Sequence, residues 1–197
     1  MKTPTKPTAE LPVILFATPK DWEIWLKANH AESNGIWLRL AKKDSGIESV
    51  NYAEALDVAL CYGWIDGQKK SYDAATWLQK FTPRGAKSLW SKINREKVEA
   101  LLKSKRMKAA GLKAIESAKQ DGRWDAAYDS QSKATVPEDF QVALDQNTKA
   151  KAFFATLKSA NRYAILFRIQ TAKKAETREK RIRQFIEMLE KHETIHP

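Results

Sequence analysis

The chain has 197 residues, 43% of them hydrophobic and 30% charged, the balance of a soluble globular protein with one large domain or two small ones. Its single cysteine excludes an internal disulfide, and no apolar run approaches the ~20 residues of a membrane helix, so membrane insertion is not expected. The formal net charge of +11 points to something anionic as partner: nucleic acid, a phosphorylated ligand or an acidic protein.

Residues 1–15 read as a flexible N-terminal arm. Its Pro/Thr-rich start and short apolar run, Leu11 to Ala17, do not make a secretory signal. With one cysteine, this places the protein in the cytoplasm. Thr18-Pro19-Lys20-Asp21 then starts a helix with a capping box, and Trp22, Trp25 and Leu26 share one face of it. "GIWLRLAKK" alternates, with Ile36, Leu38 and Leu40 pointing one way and Trp37 and Arg39 the other. Asn51 and Glu54 cap a second helix, which Gly63 ends in the left-handed conformation. "WIDGQKKSYD" and "TWLQKFTPR" form two strands joined by a turn at Asp73-Ala74-Ala75, with Trp77, Gln79 and Phe81 on one side.

Beyond Gly85 the pattern is helical. Segments are predicted over 91–103, 108–120, 137–145, 148–157, 160–172 and 175–191, with Asn147 and Ser159 as caps. Asp129 to Thr135 reads as a linker. The predicted fold is α+β: a small N-terminal α/β unit with a short three-stranded sheet, then a mostly helical C-terminal half. The boundaries are 16–128 and 136–197.

The three histidines and Cys61 lack the spacing of a metal site, and the seven glycines form no phosphate-binding loop, so neither metal nor cofactor is expected. Cys61 sits near a helix C-terminus, where the dipole disfavours a thiolate; it reads as a buried structural residue. Asp66 lies beside Gly67, which leaves room for close approach, with Lys69 nearby. If Ile65 faces the core, Asp66 faces the other side. In "FTPRGAKSLWSKIN", Arg84, Lys87 and Lys92 surround a turn and a helix start that Ser88 or Ser91 can cap, a plausible anion site. Arg123, between Asp121 and Asp125, suits a structural forked salt bridge, and Trp124 and Tyr128 suit packing. The segment from Arg162 to Arg183 interleaves many cations with Tyr163 and Phe167, as anion-binding surfaces do.

The stretches "ALCYGWIDGQ", "SLWSKIN", "DGRWDAAY", "VPEDF" and "AKKAETREKRI" resemble the YdeI/OmpD-associated, or bacteriocin-protection, family from about Phe16 to Leu189. The resemblance implies a role in protection against bacteriocins or antimicrobial peptides, and, through the family name alone, association with a porin. It carries over no reaction.

These readings combine into a cytoplasmic binding protein, not an enzyme, that takes an anionic small molecule or acidic protein between its two halves. The candidate ligand-binding residues are Asp66, Lys69, Arg84, Trp90, Asn94, Arg178 and Arg181. Trp90 would supply a stacking face, Asn94 hydrogen bonds and the cations charge. Two alternatives stand beside this reading: a nucleic-acid-binding protein, and an enzyme using Asp66 or Asp73 as acid/base with Arg84 steadying negative charge.

Overall fold

The computed structural model describes residues 10–197, so residues 1–9 of the predicted arm lie outside the described residues. The chain groups into two compact units. One contains the chain up to Ser88 together with Glu96–Gly122; the other contains Leu89–Arg95 and Arg123–Pro197.

The first unit runs β1 (Val13–Leu15), α1 (Pro19–Asn29), β2 (Ile36–Ala41), α2 (Tyr52–Cys61), β3 (Trp64–Ser71) and β4 (Thr76–Pro83). It also holds α3 (Lys92–Lys103) from Glu96 onward, and α4 (Ala109–Gln120). Local chemistry sets the helix starts. Asp21 N–H donates to Thr18 Oγ1 at 3.2 Å and Thr18 N–H donates to Asp21 Oδ2 at 3.1 Å, a complete capping box. Asn51 and Glu54 repeat the device at α2. Gly63 follows α2 at φ +73°, as a left-handed helix end requires.

The sheet has four strands, not the predicted three, in the order β1-β2-β4-β3. The added strand is β1, from within the predicted arm, and it pairs parallel to β2 with Ile14 opposite Leu38. Three residues, with Val13 and Leu15 exposed, carry too little alternation to read as a strand. The parallel partner arrives only after the α1 crossover.

The strands bury one face against α1 and α2. Ile36, Leu38, Leu40, Phe81 and Trp64 are all buried. Trp22 stands at the centre: its ring lies 5.4 Å from Phe16, 5.4 Å from Trp25, 6.2 Å from Trp64 and 5.8 Å from Phe81. Trp64 Nε1–H donates to the His30 carbonyl at 3.1 Å, tying β3 to the end of α1. Cys61 is buried in the last turn of α2, and burial pushes its thiol pKa up. The Cys61 carbonyl accepts Lys108 N–H at 3.0 Å, which seats the start of α4 on the end of α2.

The second unit contains α5 (Glu138–Asp145), α6 (Thr148–Thr156), α7 (Ser159–Gln170) and α8 (Ala175–Glu190). Phe140, Leu144, Phe154, Ile165, Ile169, Ile182 and Leu189 form their common core, so α8 faces inward at Ile182 and Leu189. Asn147 caps α6 by accepting Ala150 N–H at 3.0 Å. Ser159 does not cap α7: it lies inside the first turn, and the cap position is Lys158, whose side chain makes no capping bond. Trp90 and Trp124 pack edge to face at 4.9 Å, and Arg95 Cζ lies 5.0 Å from the Trp124 ring centre.

Candidate functional site

The predicted site residues divide between the units. Asp66, Lys69 and Arg84 belong to the first; Trp90, Asn94, Arg178 and Arg181 belong to the second. Trp64 pairs with Pro83 and Asp66 with Phe81, so Asp66 shares the helix-side face with Trp64 and Phe81, and Ile65 takes the opposite face. A strand inverts its side chains at every residue, and Trp64 is the one that enters the aromatic core. At the edge of that face, the Tyr52 hydroxyl donates to Asp66 Oδ2 at 2.7 Å. Arg84 is half-buried, and its backbone N–H donates to the Gly63 carbonyl at 3.0 Å. Lys69 lines a cleft of about 330 Å³ with Lys42, Lys70, Ser71 and Trp77.

In the second unit, Trp90 is only 2% exposed, so its ring serves packing against Trp124 and presents no open stacking face. Asn94 is buried too, and its backbone N–H donates to Ser91 Oγ at 3.1 Å, which makes Ser91 the cap of α3. Arg123 is buried. Arg178 forks onto Asp139, with Nε to Oδ2 at 2.5 Å and Nη2 to Oδ1 at 2.9 Å, and donates a third bond to the Ile169 carbonyl at 2.9 Å. Arg181 donates to the Arg168 carbonyl. Both arginines therefore donate to carbonyls in the last turn of α7, where a cation also suits the dipole. Among the described residues, no three His, Cys, Asp or Glu side chains come together as a metal site requires.

The Arg178 guanidinium holds the Asp139 carboxyl below the usual carboxylate range. Lys92 does the same, chiefly by hydrogen bonding, to Asp129 of the same unit. A lowered folded pKa stabilises the fold above the unfolded value of about 3.9 and loses that contribution as pH falls through the folded value. Asp139→Asn should therefore lower the urea midpoint of the helical unit at neutral pH. It should also flatten the decline below about pH 4; an unchanged pH profile would show that the ion pair contributes nothing.

A denser cluster lies on the sheet face opposite α1 and α2. Residues two apart on a strand share a face, and the register sets them in rows. Trp37 stands opposite Lys80. Arg39 stands opposite Leu78, which in turn stands opposite Lys70. Tyr72 follows β3 on the same side as Lys70. Lys70 and Arg39 reach diagonally over rings, Lys70 Nζ to 4.2 Å from the Trp37 ring centre and Arg39 Cζ to 5.0 Å from that of Tyr72, while Lys80 Nζ lies 6.0 Å from the Trp37 ring it stands opposite. Leu78, in the middle of these pairs, is 1% exposed. Tyr72 is 51% exposed.

Asp73 anchors the array. Its Oδ1 accepts Thr76 N–H at 2.6 Å, Ala75 N–H at 2.9 Å and the Thr76 hydroxyl at 2.8 Å, and its Oδ2 accepts Arg39 Nη2 at 2.9 Å. The Thr76 hydroxyl, before the other bonds, holds the Asp73 carboxyl below its usual range. Asp73 is thus a turn residue with its acceptor positions engaged. Sequence reasoning placed Trp37 and Arg39 on one side of β2 but did not assemble this array, because Lys70, Lys80 and Tyr72 join it only through strand register.

A family model described as Domain of unknown function (DUF8412) matches residues 14–114, just over half of the chain. The chain belongs to that family. This domain spans the sheet, α1 and α2, and therefore the whole cation–aromatic array. A second model, described as Bacteriocin-protection, YdeI or OmpD-Associated, matches residues 133–192. That match takes in α5 to α8 with the Asp139–Arg178 pair, and supports the resemblance read from the sequence over this stretch. No curated protein and no solved structure matches the chain. No described helix is long and apolar enough to cross a membrane.

Proposed function

We propose that this protein is a cytoplasmic binding protein that holds an anionic partner on the outer face of its sheet, in the bacteriocin-protection setting named by the match to its helical unit. The observation that carries this reading is the Trp37 ring with Lys70 Nζ at 4.2 Å and Lys80 Nζ at 6.0 Å. Cations poised over aromatic rings offer an anion charge and a flat apolar contact in one place. Lys69 pairs with Gln79 and so takes the helix-side face, where it lines a cleft with Trp77 apart from this array. The net charge of +11 adds long-range attraction. Arg178 and Arg181 contribute to the helical unit's architecture, since their guanidinium groups already meet Asp139 and the end of α7.

Heparin serves as a generic polyanion to test the site. Lys70→Glu/Lys80→Glu should elute from immobilised heparin at clearly lower salt than Lys103→Glu/Lys113→Glu, which makes the same change of charge on α3 and α4. Coincident elution of the two variants would show that only overall charge matters and would remove the sheet face as the site.

A further inference from the structure

Resting on that reading of the sheet face, we infer that its anionic partner is single-stranded nucleic acid, with unpaired bases stacking on Trp37 and Tyr72 and the phosphate backbone meeting Lys70, Lys80 and Arg39. The arrangement of the cations favours an extended partner. They do not converge on one point, as they would around an isolated phosphate or carboxylate. They spread over three adjacent strands, β2, β4 and β3, each beside a ring. Strands lie about 4.8 Å apart and rise about 3.3 Å per residue, so Trp37 and Tyr72 are set about 10 Å apart across the sheet and, four residues out of level, about 13 Å apart along it, with cations between them. Alternating rings and cations match a chain that itself alternates flat bases and phosphates.

The rings decide between kinds of polyanion. An acidic protein meets lysines and arginines through charge pairs and seats aromatic anchors in packed pockets rather than on open ring faces. A duplex keeps its bases stacked on one another, which leaves no base face for a ring on a sheet. An unpaired strand uses both groups at once. Leu78, between Arg39 and Lys70 in the register, is covered by its neighbours, so the rings and cations themselves make up the contact surface. Tyr72 is half-exposed, and Lys70 is exposed on a flexible four-carbon stem, so its ammonium can leave the Trp37 ring for a phosphate while a base takes its place. Asp73 and Thr76 hold Arg39 from below through Nη2 at 2.9 Å and Nε at 3.0 Å, which keeps the second pair in position.

The test is fluorescence anisotropy of the full chain with a labelled oligothymidine of about 16 nucleotides, the matching duplex, and heparin as competitor. Trp37→Leu and Tyr72→Leu remove the rings and keep apolar bulk; circular dichroism checks that each variant is folded. The wild type should bind the single strand more tightly than the duplex. Each ring variant should weaken single-strand binding roughly tenfold and leave heparin retention unchanged. Lys70→Gln/Lys80→Gln should weaken both, and should reduce the slope of log affinity against log salt by about 1.4, roughly 0.7 per lost phosphate contact.

Equal affinity for duplex and single strand, or ring variants that bind the single strand like the wild type, would overturn the nucleic-acid inference. If the lysine variants still lost heparin in that case, the binding face would stand and an acidic protein would become its partner. Lysine variants unchanged with both probes would remove the face itself.

Discussion

Trp22→Ala should cost the sheet-containing unit about 4 kcal/mol of stability, seen as a lower urea midpoint at an unchanged slope. Trp22 is 0% exposed, touches four other aromatic rings and donates Nε1–H to the Ala55 carbonyl at 3.1 Å. Alanine removes the indole from between α1, α2, β3 and β4 at once, and rigid neighbouring rings cannot collapse into the space. Ile24→Ala supplies the control on the same helix. Ile24 is 59% exposed, and its loss should change stability by less than about 0.5 kcal/mol. A Trp22→Ala loss below about 1 kcal/mol would mean that the aromatic cluster does not hold this unit together.

Gly111→Ala should be destabilising by about 2 kcal/mol, the reverse of what helix propensity alone predicts. Alanine in place of a glycine inside a helix normally gains up to about 1 kcal/mol. At Gly111 the added methyl would collide with the Cys61 carbonyl oxygen, lie 2.9 Å from the Cys61 carbonyl carbon and 2.6 Å from Met107 Cε. Met107 can move, but the Cys61 carbonyl is pinned in the last turn of α2 and accepts Lys108 N–H at 3.0 Å. The clash must therefore separate α4 from α2, an overpacking cost of about 1–3 kcal/mol. Thermal unfolding of Gly111→Ala beside Gly67→Ala measures the effect. A methyl at Gly67 meets only ordinary contacts with Lys80 at 3.8 Å, so only Gly111→Ala should lower Tm by several degrees. A gain in Tm at Gly111 would show that α4 does not approach α2 so closely.

The elements most legible in the sequence were those whose signals are local. Thr18 and Asp21, or Asn51 and Glu54, sit one turn apart, so their capping boxes depend on residues already adjacent in the chain. The alternation of β2 likewise placed Ile36, Leu38 and Leu40 inside and Trp37 and Arg39 outside before any partner strand was known. The site was less legible. Arg178 looked like a free cation in a basic run, yet its partner Asp139 lies 39 residues away. Trp90 looked like a stacking platform, yet Trp124 meets its ring at 4.9 Å. Asp66 turned to the helix side because Trp64, two residues before it, is drawn into the core.

By itself the sequence determined the α+β class, the starts of α1 and α2, the inward stripe of β2 and the burial of Cys61. Each follows from side-chain period or capping within a turn or two, where neighbours in sequence are neighbours in space. Only the tertiary structure decided that β1 joins β2, that α4 closes on Cys61, and that Lys70 and Lys80 stand beside Trp37. Those arrangements depend on register between distant segments. Register is selected by which whole faces become buried, a choice no short stretch of sequence makes alone.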